Sequence, residues 1–206
     1  MRIGIIQASS TLDKNKLLYE SVRQFAPQHE VFNFNTKNED KYSYIEISVL
    51  IGLLLNSGAV DFIVTGCSSG QGMMLAANSM PNVLCGYVPT PKDAYLFAQI
   101  NNGNAVSLPL GEAYTYSGTE NLKETIRSLF SEPFGGGYPK EDAERKLKDT
   151  ELLKRIRKYS QVPFIPLLET VDKNFLHHLL AKTNVIHYIM ENGTYTELKE
   201  WIRGQE

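Results

Sequence analysis

The sequence predicts an α/β protein: a three-layer α/β/α, Rossmann-like domain with a five-stranded parallel sheet, followed by a C-terminal helical extension. Three observations predict it. Over the first hundred residues short apolar runs alternate with longer amphipathic segments, which is the signature of βαβ units. The run from Val60 to Thr65 is nearly continuous in apolar residues, as a strand covered on both faces must be, and it leads straight into a glycine-rich loop and a helix. The composition, 42% hydrophobic and 21% charged over 206 residues, is that of a globular chain able to bury a normal core, with room for one domain and an elaboration.

The elements follow in order. Arg2 to Ile6 is the first strand. Asp13 to Phe25 places Leu17, Leu18, Val22 and Phe25 at helical spacing ahead of the breaker Pro27. Glu30 to Phe34 is the second strand. Tyr42 to Asn56 carries Ile45, Val49, Leu53 and Leu54 on one face and ends at Ser57-Gly58, where glycine suits a left-handed cap. After the third strand comes a helix from Gly72 to Ser79, then strands Val83 to Tyr87 and Ala105 to Leu108 around a helix from Pro91 to Gln99, with Asp93 suited to its positive end. Gly111 to Gly118 reads as a loop, Asn121 to Phe130 as a helix, and Phe134-Gly135-Gly136-Gly137-Tyr138-Pro139 as a hinge. Lys140 to Lys158 is a charged helix, and short helices begin near Asp172, Asn184 and Thr194. The expected division is a domain over 1–158 and a helical extension over 159–206.

Charge and hydropathy narrow the function. Twenty-one Lys and Arg against 23 Asp and Glu, with no block of like charge, argue for a small metabolite rather than nucleic acid as partner. The longest apolar stretch, Val49 to Leu55, is far short of a membrane span. The opening Met1-Arg2-Ile3-Gly4 lacks the features of a signal peptide, so a cytoplasmic protein is expected. Cys67 and Cys85 are then unbridged in a reducing compartment.

The chemistry concentrates in Gly66-Cys67-Ser68-Ser69-Gly70-Gln71-Gly72. A glycine-rich loop between a strand's carboxyl end and a helix N-terminus offers backbone N–H groups to an anion. A cysteine there faces the positive end of the helix, which favours the thiolate, so Cys67 can serve as base or nucleophile. A phosphate-binding P-loop needs Gly-Lys-Ser/Thr where Gly72-Met73-Met74 stands. A cysteine phosphatase needs an arginine at Met73. Gly66-x-Ser68-x-Gly70 does match a hydrolase nucleophile elbow, with His177, His178 and His187 downstream, so a serine hydrolase using Ser68 stays open, as does a structural loop with a buried cysteine.

Val60-Asp61-Phe62-Ile63-Val64-Thr65 with the loop, then Leu75-Ala76-Ala77-Asn78 and Pro81, resembles the third-strand signature of the RpiB/LacA/LacB sugar-phosphate isomerases, in which the loop reads Cys-Gly-Thr-Gly-x-Gly before Ala-Ala-Asn. Asp93 to Ala105 resembles the family segment ending His-Asn-x-x-Asn, and Phe134-Gly135-Gly136 its Phe-x-Gly-Gly, so the resemblance spans about residues 1–158. It implies aldose–ketose isomerisation of a phosphorylated sugar through an enediolate, without metal or cofactor. Cys67 takes the place of the base and Ser69 that of the threonine handling the hydroxyl proton. The resemblance sets Ser9, Gly66, Ser68, Gly70, Gln71, Gly72, Asn101 and Asn104 around the substrate, and Tyr138, Lys140 and Arg145 in the region that supplies phosphate ligands to a neighbouring subunit's site. A homodimer or dimer of dimers with shared sites is implied.

Two departures bear on the substrate. The family's Asp-His after the first strand is Ala8-Ser9 here, and its ring-opening histidine is Ile100. Both histidines would serve a cyclic sugar, so an open-chain substrate such as a tetrose 4-phosphate is expected; a non-catalytic phosphosugar-binding member is the remaining alternative. Cys85 is expected in the core, His177 and His178 in packing or surface roles, and Trp201 as an anchor.

Overall fold

The computed structural model describes residues 1–35 and 41–205. Strands β1 (Arg2–Ile5), β2 (Glu30–Asn33), β3 (Phe62–Cys67), β4 (Cys85–Tyr87) and β5 (Ala105–Pro109) form one wholly parallel sheet in the order β2-β1-β3-β5-β4. The predicted architecture is therefore present. Helices α1 (Asn15–Phe25), α4 (Pro91–Leu96) and α5 (Glu112–Leu129) cover one face; α2 (Tyr44–Asn56) and α3 (Gln71–Asn78) cover the other. Along β3 the alternation is explicit, since Phe62 and Val64 join the first core and Ile63 and Cys67 the second.

Several boundaries move for identifiable reasons. Strand β3 starts two residues later than expected and includes Gly66 and Cys67, because the ladder to β5 continues through Gly66 opposite Leu108 and Cys67 opposite Pro109. Residues 112–117, read as loop, are helical: α5 begins at Glu112 and is broken at Gly118, whose φ of 73° is the left-handed conformation glycine tolerates. The Phe134–Pro139 segment, expected as a hinge, is fastened down: Gly135 N–H donates to the Ala98 carbonyl and Gly137 N–H to that of Gln99, both at 2.9 Å, across a π turn at Phe97–Asn101. Gly58 takes the expected left-handed cap at φ 68°.

The charged helix α6 (Ala143–Ser160) follows a 3-10 turn at Lys140–Asp142, and Thr150 Oγ1 at its middle donates to the Ile100 carbonyl at 2.8 Å. The last residues form four helices where two or three were expected: α7 (Phe164–Leu168), α8 (Lys173–Leu180), α9 (Thr183–Asn192) and α10 (Thr196–Arg203). They build a further layer over α2. The aromatic ring of Phe164 lies where a side chain at Gly52 would be, and Leu168, Leu179, Val185, Ile189, Leu198 and Ile202 share a core cluster with α2.

One polar joint ties this layer to the body. Ser43 caps α2 reciprocally with Glu46, and Glu46 Oε1 also meets His178 Nδ1 of α8 at 2.6 Å, while the His178 ring stacks on Tyr42 at 4.7 Å. Burial pushes the Glu46 carboxyl up, but the Ser43 backbone and hydroxyl and the His178 ring outweigh it and hold the carboxyl below its ordinary value of 4.5. A carboxyl lowered in the folded state stabilises above its unfolded value and loses that contribution as pH falls through the lowered one. Glu46→Gln is therefore expected to be less stable than the wild type at neutral pH, with the gap closing as the pH drops below 4.5; urea melts across that range measure it, and a gap independent of pH would contradict the assignment.

Candidate active site

The sheet changes winding direction between β1 and β3, and a crevice opens beyond their carboxyl ends. Cys67 closes β3 there, 8% exposed, on a backbone fixed by strand pairing rather than in a free loop. Its carbonyl accepts the Leu110 N–H at 3.0 Å and that of Ser68 accepts the Gly111 N–H at 3.0 Å, so the chain leaving β5 straps the loop. A Cβ at Gly111 would stand 2.8 Å from the Ser68 Cα, which makes the close approach possible only for glycine.

The loop then turns through Gly70, at φ 75°, into α3, whose first amides face the crevice. Gly70 is held by the buried Ser107, whose Oγ donates to the Gly70 carbonyl at 2.7 Å. The exposed Ser69 accepts the Gln71 N–H at 3.2 Å, which leaves its own O–H available to donate outward. Ser68 and Gln71 are also exposed beside it. Across the crevice, Ala8 N–H donates to the Gly66 carbonyl at 3.3 Å. Ser9 and Tyr42 bond reciprocally, Ser9 N–H to the Tyr42 carbonyl at 3.0 Å and Tyr42 N–H to Ser9 Oγ at 2.7 Å. Ser9, Gly66, Cys67, Ser68, Ser69, Gly70, Gln71 and Gly72 thus meet at one place.

Three aromatic residues join them that the sequence reading did not single out for the site. Tyr87 ends β4, and its ring lies 2.7 Å from where a Cβ of Gly70 would be. Burial, with the charges of Asp93 and Cys67, pushes its hydroxyl up from the ordinary value, so it stays protonated as a donor. Tyr44 packs beside Gly72, and Tyr42 braces Ser9. The rule that ligands sit at strand carboxyl ends was the available signal for Tyr87.

Other expected residues lie elsewhere in the chain. Asn104 is at the amino end of β5, where its carboxamide accepts from Leu84 N–H at 2.8 Å and donates to the Asn82 carbonyl at 2.7 Å. Its carbonyl bonds Ile63 N–H, four strand residues or about 13 Å before Cys67, so Asn104 clamps the sheet and does not reach this crevice. Asn101 ends the π turn on that same side, exposed. Tyr138 packs edge-on against Tyr95 at 5.7 Å, Lys140 Nζ donates to the Gly136 carbonyl, and both terminal nitrogens of Arg145 pair with carboxylates, those of Asp142 and Asp149. Among the described residues, the hydrogen bonds, ion pairs and ring contacts of Tyr138, Lys140 and Arg145 are made away from the Cys67 loop.

The elbow reading of Ser68 lacks a partner, since no histidine hydrogen-bonds Ser68 among the described residues and His178 is engaged by Glu46. Cys85 is buried and its thiol is pushed up to about 12 by burial, a core residue as expected. No helix among the described residues is long and apolar enough to cross a membrane.

Comparison with known proteins agrees with this geometry. Residues 3–147 match the family model described as Ribose/Galactose Isomerase. A search of curated protein sequences finds no match. Among solved structures, a 4-deoxy-L-threo-5-hexosulose-uronate ketol-isomerase complexed with a tartrate is 33% identical, with 100% of this chain and 99% of that one covered at a TM-score of 0.93. A ribose-5-phosphate isomerase from Vibrio parahaemolyticus is 30% identical over 100% and 99%, also at 0.93. The type B ribose 5-phosphate isomerase of Trypanosoma cruzi, at 24% identity and a TM-score of 0.64, covers 76% of this chain and 98% of its own, a likeness of fold. A parallel sheet presenting a cysteine and a serine at the head of a helix, matched by this family over most of its length, leads to one conclusion: the chain belongs to the ribose/galactose isomerase family of aldose–ketose isomerases.

Proposed function

We propose that this protein is a ketol-isomerase of an acyclic, anionic sugar, and that its substrate class is the deoxy-hexosulose uronate rather than a cyclic sugar phosphate. The observation that carries the reading is Ile100, an apolar residue where ring-opening chemistry would require a proton-transferring group. A 4-deoxy-5-keto sugar acid has neither a C4 nor a C5 hydroxyl to close a ring onto C1, so it needs no such group. The match to a ketol-isomerase of that uronate, at 33% identity beside 30% for the equally full-length ribose-5-phosphate isomerase, supports the same choice.

A tetrose 4-phosphate is the second reading, favoured by the same Ile100 because esterification of O4 also prevents ring closure. Turnover of the three substrates decides between them. Highest kcat/KM on the uronate supports the proposal; preference for the tetrose ester moves the assignment to a phosphorylated open-chain sugar, and preference for ribose 5-phosphate overturns both.

In the reaction, Cys67 Sγ as thiolate takes the proton from C2 of the aldose. The electron pair forms the C1–C2 double bond of an enediolate, and the charge on oxygen is stabilised by N–H groups at the head of α3. Ser69 carries a hydroxyl proton between O2 and O1, and the thiol returns its proton to C1 to give the ketose. Tyr87, held protonated, donates to the substrate's oxygens. The remote carboxylate anchors and aligns the chain.

The working unit is a pair of chains. Leu152, Ile156 and Tyr159 are 53%, 54% and 82% exposed and follow one another at helical spacing, an apolar stripe on α6 with nothing over it in the described residues. A second copy packed there brings Asn101, Tyr138 and Lys140 toward its neighbour's crevice. Ile156→Glu is expected to halve the molar mass measured by light scattering and to lower kcat/KM by about tenfold or more. A fully active monomeric wild type would refute it.

A further inference from the structure

A cavity of about 240 Å³ lies between α6 and the chain entering β4 and β5, lined by Asn82, Val83, Leu84, Asn102 to Asn104, and the cations Lys154, Arg157 and Lys158. It sits at the amino ends of the strands, about 13 Å or more from Cys67 along β3. It is no part of the crevice described above.

The cations are spaced so that one flank of α6 presents all three. Lys154 pairs with Glu151 at 3.1 Å. Arg157 and Lys158 pair with no carboxylate among the described residues. Arg157 is also half-buried, with Nη2 donating to the carbonyls of Val83 at 2.6 Å and Asn78 at 2.9 Å. Those carbonyls fix the guanidinium in place without neutralising it. A desolvated cation lacking a counter-charge is costly, and burial draws its proton affinity below the ordinary arginine value. Two uncompensated positive charges, one of them rigidly held, in a cavity with the Asn102 carboxamide on its far wall, ask for a divalent oxyanion.

We propose that this cavity is a second binding site, taking a small dianion: a phosphate monoester or a short dicarboxylate. Its size admits a compact metabolite and no extended polymer. An occupant bridges α6 to the turn through Asn102. The helix in turn holds the Ile100 carbonyl through Thr150, so occupancy acts on the segment that carries Asn101. Ligand bound there stabilises the folded chain by mass action.

The test uses the full-length protein with inorganic phosphate, a phosphate monoester and malonate as probes, in titration calorimetry and thermal melts, at low salt. Binding of at least one probe is expected. Lys158→Gln and Arg157→Gln should each weaken it by about tenfold, while Cys67→Ala leaves it unchanged. Lys158 is exposed, so that variant remains informative if Arg157→Gln does not fold. Phosphate binding without malonate binding identifies a phosphate site, and the converse a carboxylate site. No binding of any probe, or binding lost in Cys67→Ala and retained in Lys158→Gln, overturns the proposal. These measurements use no turnover, so the outcome is independent of which sugar the isomerase accepts.

Discussion

Cys67→Ala is expected to lose isomerase activity by at least about a thousandfold while keeping its fold, because it removes the proposed proton-transferring atom and little else. The side chain is small and its backbone is held by strand pairing and by the Leu110 amide, so the melting temperature should move only slightly. Exchange separates the chemistry from binding. In deuterated water the wild type should place solvent deuterium at the product carbon, Cys67→Ala should place none, and Ser69→Ala should still exchange the carbon-bound proton while forming product slowly. Cys85 is the internal control. Its thiol, pushed up to about 12 by burial, is inert, so alkylation under mildly alkaline conditions should modify Cys67 alone and inactivate the enzyme in step. Full activity in Cys67→Ala, or inactivation that tracks Cys85, would remove Cys67 from the proposed role.

The sheet and the crevice were legible in the sequence because both rest on local rules. A strand buried on both faces must be apolar, and a glycine loop between strand and helix marks the carboxyl edge. What depended on register was less legible. Whether Cys67 belongs to strand or loop is set by its pairing with Pro109, a residue far away in sequence. Asn104 matches a family position, yet only the fold shows that its carboxamide is spent between Leu84 and Asn82. The helicity of residues 112–117 was hidden by Gly118, which looks like a breaker and instead joins two helical segments through one left-handed residue. Helix α2 carries a signal of its own cover. The segment Ile47 to Leu54 is apolar on nearly every side, with Ser48 its one hydroxyl, and such a helix needs cover on the side away from the sheet as well.

That cover is residues 164–203, and its removal is the second large effect. A chain ending after α6 should fail to fold cooperatively and should aggregate on expression. Phe164, Leu168, Leu179, Val185, Ile189, Leu198 and Ile202 are all buried in the cluster containing α2. Each buried side chain of this size contributes about 1.5–3 kcal/mol, against a net stability of about 5–15 kcal/mol for a whole domain. The loss would exceed the margin even if the truncated body relaxed. The cut also strips His178 from Glu46 and from the face of Tyr42, the residue that braces Ser9 at the crevice. The terminal layer is therefore tied to the active site as well as to the core. His178→Asn keeps a donor near the Nδ1 position and should hold KM and kcat near those of the wild type, whereas His178→Ala should raise KM more than it lowers kcat. A truncated chain that melts cooperatively and turns over substrate normally would show that α2 tolerates exposure and that the layer serves something other than the isomerase.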